Sequence, residues 1–113
     1  MPKKILLLLC LTLAGMQAYA QPACQEPVSP AIPSGRTSTE KEMREALEAV
    51  KAFISAGIAY RECLEKEFSG VKEQLPGQIK AVLEEAYQNS LEMDELVADT
   101  FNTQLRIFRS LND

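Results

Sequence analysis

TEKEMREALEAVKAFISAGIAYRECLEKEF, running from Thr39 to Phe68, is the stretch whose reading decides the fold. Its opening, Thr39-Glu40-Lys41-Glu42, fits a capping box. The threonine hydroxyl is placed to accept from the backbone N–H of Glu42, and the Glu42 carboxylate to reach back. Glu40 and Glu42 also sit where the helix dipole is positive. No proline interrupts residues 40–68, and Ser69-Gly70 supplies a stop. The pattern predicts one helix over residues 40–68.

At about 100° per residue this helix carries two apolar stripes side by side. One is large: Met43, Leu47, Val50, Ile54, Gly57, Leu64 and Phe68. The other is small: Ala46, Ala49, Ala52, Ala56 and Ala59, ending at Cys63, with Phe53 and Tyr60 on the border. A helix facing a single partner needs one stripe, so the small one reads as a bed for a closely approaching second backbone. Alanine is also simply a good helix former, and that explanation stays open.

The candidate for the bed lies upstream. Gln21 to Ser38 contains Pro22, Pro27, Pro30 and Pro33, then the turn signal Ser34-Gly35. Proline at this density excludes helix and favours polyproline II; a flexible linker is the plainer alternative. Reach argues for an ordered arm. Cys63 lies ~36 Å along the helix from Thr39, whereas an arm from Cys24 to Thr39 extends to ~46 Å. The arm can therefore turn near Ser34-Gly35, fold back along the helix with Val28 and Ile32 inward and Tyr60 against a proline ring, and bring Cys24 to Cys63.

Downstream, Val71 to Gly77 is the connection, with a short turn over Val71 to Leu75 and a break at Pro76-Gly77. A second amphipathic pattern runs over residues 78–111. Ile79, Leu83, Ala86, Met93, Val97, Phe101, Phe108 and Leu111 share its face, widened by Val82, Tyr87 and Leu105. Ser90 and Gln104 interrupt that face, and a break at Asn89-Ser90, giving three helices, is open. The near-heptad spacing suits coiled-coil-like packing against the first helix. The expected fold is therefore all-α: an antiparallel helical hairpin with a proline-rich extended segment, residues 21–38, packed along its first helix.

Residues 1–20 read as a secretory signal peptide. Lys3-Lys4 is the basic n-region, Ile5 to Gly15 the apolar h-region, and Ala18-Tyr19-Ala20 the small-x-small cleavage site. The apolar run is short for a span of ~20 residues, and Met16 and the placement of Cys10 do not fit lipoprotein processing. Cleavage removes Lys3 and Lys4 and no acid. The mature 93-residue chain then holds 10 basic and 16 acidic residues, net −6, which disfavours nucleic acid and anionic membrane surfaces as partners. It also leaves two cysteines, Cys24 and Cys63. In an exported chain of this size such a pair reads as a disulfide. The expected compartment is the periplasm or the exterior, with no membrane insertion after cleavage.

Catalytic constellations are scarce. The absence of histidine removes Ser-His-Asp and Cys-His catalysis and most zinc sites. The five glycines are scattered and form no phosphate loop. Glu92, Glu95 and Asp99, with Asp94 nearby, read as a solvated helix face rather than a cation site, and Glu84-Glu85 likewise. Met43 and Met93 read as core rather than as copper ligands. Tyr60 and Tyr87 need no ligand to explain them. No catalytic residue, metal site or cofactor is therefore expected, and the chain reads as a non-enzyme.

Several short motifs carry a resemblance: Cys24-Gln25-Glu26-Pro27, Pro30-Ala31-Ile32-Pro33-Ser34-Gly35, Thr39 with Met43, Tyr60-Arg61-Glu62-Cys63, and Phe101-Asn102 before a basic end. The mature chain resembles a group of small, secreted, functionally uncharacterised proteins of Gram-negative bacteria. The resemblance implies a periplasmic setting and the two cysteines as a linked feature; it implies no activity or ligand. The expected function is association, with a protein partner or with itself, as an interaction or structural protein of the envelope. The alternative is a periplasmic carrier of a small ligand or metal.

Overall fold

The computed structural model describes residues 24–113. The signal-peptide expectation falls on residues outside that range. The described residues form helix α1 (Glu40–Phe68), a short 3-10 turn (Lys72–Gln74) and helix α2 (Gly77–Asn112), with no strand among them. The two helices pack as an antiparallel hairpin. Gly57 of α1 meets Asp94 of α2, and Arg61 meets Ser90.

The local chemistry explains the boundaries. The Glu42 N–H donates to Thr39 Oγ1 (3.1 Å), and Met43 N donates to Thr39 O (3.0 Å) to start the helical ladder. The Glu42 carboxylate bonds the Thr39 hydroxyl at 3.2 Å, so this contact within the box is between side chains. At the other end Ser69 stays right-handed and no described residue has positive φ. α1 therefore stops without a left-handed glycine, and the chain tightens into the 3-10 turn through Val71 N–H to Phe68 O (3.3 Å). Pro76, whose ring excludes a preceding helical turn, caps α2 with its carbonyl, which accepts from Ile79 and Lys80.

α2 runs 36 residues without a break at Asn89-Ser90. Ser90 is buried in the hairpin and takes a hydrogen bond from Arg61, so a polar residue facing inward leaves the helix intact.

The core sits toward the open end of the hairpin. Met43, Ala46, Val50 and Phe53 of α1 close on Val97 and Phe101 of α2. Ile32 from the arm packs against this cluster together with Leu47, Ile54, Met93, Leu105 and Phe108. Ile79, Val82 and Leu111, expected on the packed face of α2, remain exposed near its ends.

The arm folds back as its reach allows. Cys24 and Cys63 are joined, with Cα atoms 5.5 Å apart. The turn closes on Ser34, whose carbonyl accepts from Ser38 N (3.1 Å) and Ser38 Oγ (2.6 Å). Gly35 lies on the α2 backbone. Its N–H donates to Gln104 Oε1 (2.9 Å), and a Cβ there would collide with the Gln104 carbonyl oxygen and stand 2.9 Å from Phe108 N. Glycine is required here by close approach, not by an unusual φ.

Two expectations about the arm are corrected. Ala49, Ala52, Ala56 and Ala59 are exposed, so the alanine track is not the bed of the arm; only Ala46, at its start, is buried. Val28 points outward at 90% exposure, while Ile32 points in. The physical reason is the core itself. An arm resting on Ile32 and Gly35 shields the Met43–Phe101 cluster from water, whereas one lying on alanine methyls alone would cover little apolar area.

Candidate functional site

Two features stand out from the simple hairpin: a polar joint between the helices and an uncovered apolar flank.

The joint centres on Arg61. Its Nη1 donates to Asp94 Oδ2 (2.8 Å) and to Ser90 Oγ (2.9 Å), with the Arg61 and Asp94 side chains only 11% and 14% exposed. Asp94 fits because the facing position on α1 is Gly57: a Cβ there would lie 2.6 Å from Asp94 Oδ1. That oxygen is buried and without a hydrogen-bond partner among the described residues. A charge pair between helices stabilises little in net terms once desolvation is counted, but it penalises any slip that separates the partners. This joint sets the register of α1 on α2.

The acidic row of α2 is thereby divided. Glu92, Glu95 and Asp99 are exposed, and Asp94 turns inward to Arg61. Among the described residues no group of three or more His, Cys, Asp or Glu side chains is placed to hold a metal ion. Met43 is core, and Met93 packs at its edge. Tyr60 lies where the arm passes; its hydroxyl is pushed above the ordinary 10.0 by burial and then by the Glu26 carboxylate.

The uncovered flank lies away from the arm. By helical position, Leu47, Ile54 and Ile58 sit on the side of α1 opposite Cys63, and Leu91, Ala98 and Leu105 on the side of α2 turned from Gln104. Leu47, Ile54 and Leu105 also pack against the core, while Ile58 and Leu91, toward the hairpin turn, are 46% and 40% exposed. A groove opens at each end. The one at the hairpin end, about 650 Å³, lies between Leu64 and Phe68 of α1 and Leu83 and Tyr87 of α2, with Glu65, Lys72 and Glu84 at its rim. The one at the open end, about 580 Å³, lies between Met43 and Leu47 of α1 and Leu105 and Phe108 of α2, with Glu40, Arg44, Arg109 and Asp113 at its rim.

Sequence reasoning placed Cys24 and Cys63 correctly as neighbours but assigned no role to Arg61, Ser90 or Gln104. A signal was available. Ser90 and Gln104 interrupt an otherwise apolar face, and a polar side chain on a buried face demands a partner. Gly57 within a large-residue stripe is a second signal, since glycine inside a helix costs ~1 kcal/mol against alanine unless something needs the room.

Among the described residues no helix is long and apolar enough to cross a membrane. Comparison with known protein families, curated proteins and solved structures finds no match for the chain.

Proposed function

We propose that this is an exported, non-catalytic helical protein that works by protein–protein association in the cell envelope. The observation that carries the reading is the uncovered flank. On that side Leu47, Ile54, Ala98 and Leu105 are partly buried, and Ile58 and Leu91 beside them stand in water. A contiguous apolar strip of this kind, rimmed by charge, is the usual mark of an interaction surface. The Cys24–Cys63 pairing supports an oxidising compartment such as the periplasm, because a bond of this type persists poorly among cytosolic thiols. The net charge of −6 expected for the processed chain turns it away from nucleic acid and anionic lipid.

The test is site-specific photocrosslinking in intact cells, with the photoreactive side chain at Leu91 and, as control, at exposed Ala52 on the opposite side of the hairpin. A discrete protein adduct from Leu91 and none from Ala52 is the expected result. No adduct from either position, together with a strictly monomeric purified protein, contradicts the reading.

The carrier alternative draws its support from the hairpin-end groove, whose volume falls within the ~300–1,000 Å³ of small-molecule sites. Native mass spectrometry of protein purified without chelator decides it; a chain with no bound mass sinks it.

A further inference from the structure

We infer that the Cys24–Cys63 bond is a redox latch: a protein dithiol opens it, and the proline arm then swings off the open-half core while the helical hairpin stays folded. This goes beyond the association reading and does not depend on it.

The first argument is how the arm is held. One end is joined to α1 through Cys24. Toward the other end Ile32 packs against the core, and the Gly35 N–H donates to Gln104 Oε1 (2.9 Å). Between Cys24 and Ile32 the grip is slight: Glu26, Val28, Ser29 and Ala31 are all exposed. An extended proline-rich segment has no internal hydrogen bonds to keep its shape. How strongly a disulfide resists reduction follows the effective concentration at which the fold holds its two thiols. Cys63 is fixed within α1, but Cys24 sits at the end of that loosely held stretch. Once the bond is open, Cys24 therefore spends little time beside Cys63. Bond and docked arm are linked, so whatever weakens one weakens the other.

The second argument is that the hairpin has ties of its own. Arg61 reaches Asp94 (2.8 Å) and Ser90 (2.9 Å) from helix to helix with no arm residue between. The cap of α1 at Thr39 lies beyond the Ser34–Ser38 turn, so that turn serves as the hinge. Movement there uncovers the side of the Met43–Phe101 cluster on which Ile32 rests.

Access is the third. Neither cysteine belongs to the buried core, and both are partly exposed. A thiolate of the incoming dithiol attacks one sulfur, the S–S bond breaks, and a mixed disulfide forms. The second thiol of the dithiol then closes on the first and releases the chain. Cys24 and Cys63 each gain one electron and one proton, and the dithiol is oxidised to a disulfide.

The experiment has two readings on the signal-free chain. The redox equilibrium with thioredoxin is read as the mass shift after thiol alkylation. Dithiothreitol-reduced and oxidised chains are then compared by trypsin cleavage after Arg36 and by circular dichroism. Thioredoxin should reduce the bond, and cleavage of the reduced chain should quicken ~10-fold or more with helicity kept. Reoxidation should restore the slow rate. Cys24→Ser should be cut at the fast rate with or without dithiothreitol. Gly35→Ala, which loosens the other anchor, should shift the thioredoxin equilibrium ~5-fold or more toward the thiols. A bond that thioredoxin leaves intact, a reduced chain that loses its helices, or a reduced chain cut no faster than the oxidised one overturns the inference. An equilibrium unmoved by Gly35→Ala overturns the link between bond and arm.

Discussion

The two halves of the hairpin are built from the same helices yet packed differently. In the open half, α1 from Met43 to Gly57 and α2 from Ser90 to Phe101 hold every buried helical residue. In the closed half, Leu64, Phe68, Leu83 and Tyr87 occupy equivalent inward positions and are only partly buried. Side-chain type does not explain the difference, since leucine and phenylalanine are as apolar as valine and methionine. The third element does. Two helices meet along a line and leave both flanks wet, so full burial needs something laid over the seam. Ile32 and Gly35 supply that cover in the open half, and the arm reaches only as far as Cys63. A hairpin alone would bury partly everywhere; the arm turns one half into a core.

This contrast sets the order of expected effects. Phe101→Ala should cost ~4 kcal/mol of unfolding free energy, and Phe68→Ala less than half of that, because only the first opens a closed cavity. Urea denaturation of both variants measures it, and equal losses would erase the distinction between the halves. Arg61→Met, at the boundary, should cost ~3 kcal/mol by leaving Asp94 enclosed without its cation. Arg61→Met with Asp94→Leu and Gly57 kept should recover part of that loss, and no recovery would mean that the charge pair itself stabilises the joint. Gly35→Ala should cost ~1–3 kcal/mol by pushing the arm off α2, with new protease cleavage near the Ser34–Ser38 turn; an unchanged digest would place the arm's anchor elsewhere. Ala56→Leu and Ser55→Leu should both fall within ~0.5 kcal/mol of the parent, as exposed positions do. A large penalty at Ala56 alone would return the arm to the alanine track.

Much of this fold is legible in the residues. Thr39 and Glu42 mark the start of α1, Pro76-Gly77 marks the start of α2, and the reach of the chain from Cys24 to Thr39 allows the fold-back. These depend on local chemistry or chain length, both of which a sequence carries. The side on which the arm lies is not legible. Alanine at regular spacing is equally consistent with a contact bed and with plain helix propensity, and only the position of the core decides between them. Asp94 is hidden for a related reason. Beside Glu92 and Glu95 it looks like one more surface acid, and only a long-range partner, Arg61 at a separation of 33, distinguishes it. The uncovered flank is legible as excess apolar surface, but which part stays uncovered depends again on where the arm settles.

The most direct measurement is amide hydrogen exchange on the oxidised chain and on the Cys24→Ser, Cys63→Ser variant. Freed of its tether, the arm should lift away. Amides of Val50 to Gly57 and Val97 to Phe101 should then lose protection by at least ~10-fold, an opening made ~1.4 kcal/mol easier, while those from Leu64 to Phe68 and Leu83 to Tyr87 stay as they were. Unchanged protection in the open half, or an equal loss along both halves, would contradict the claim that the arm makes the core.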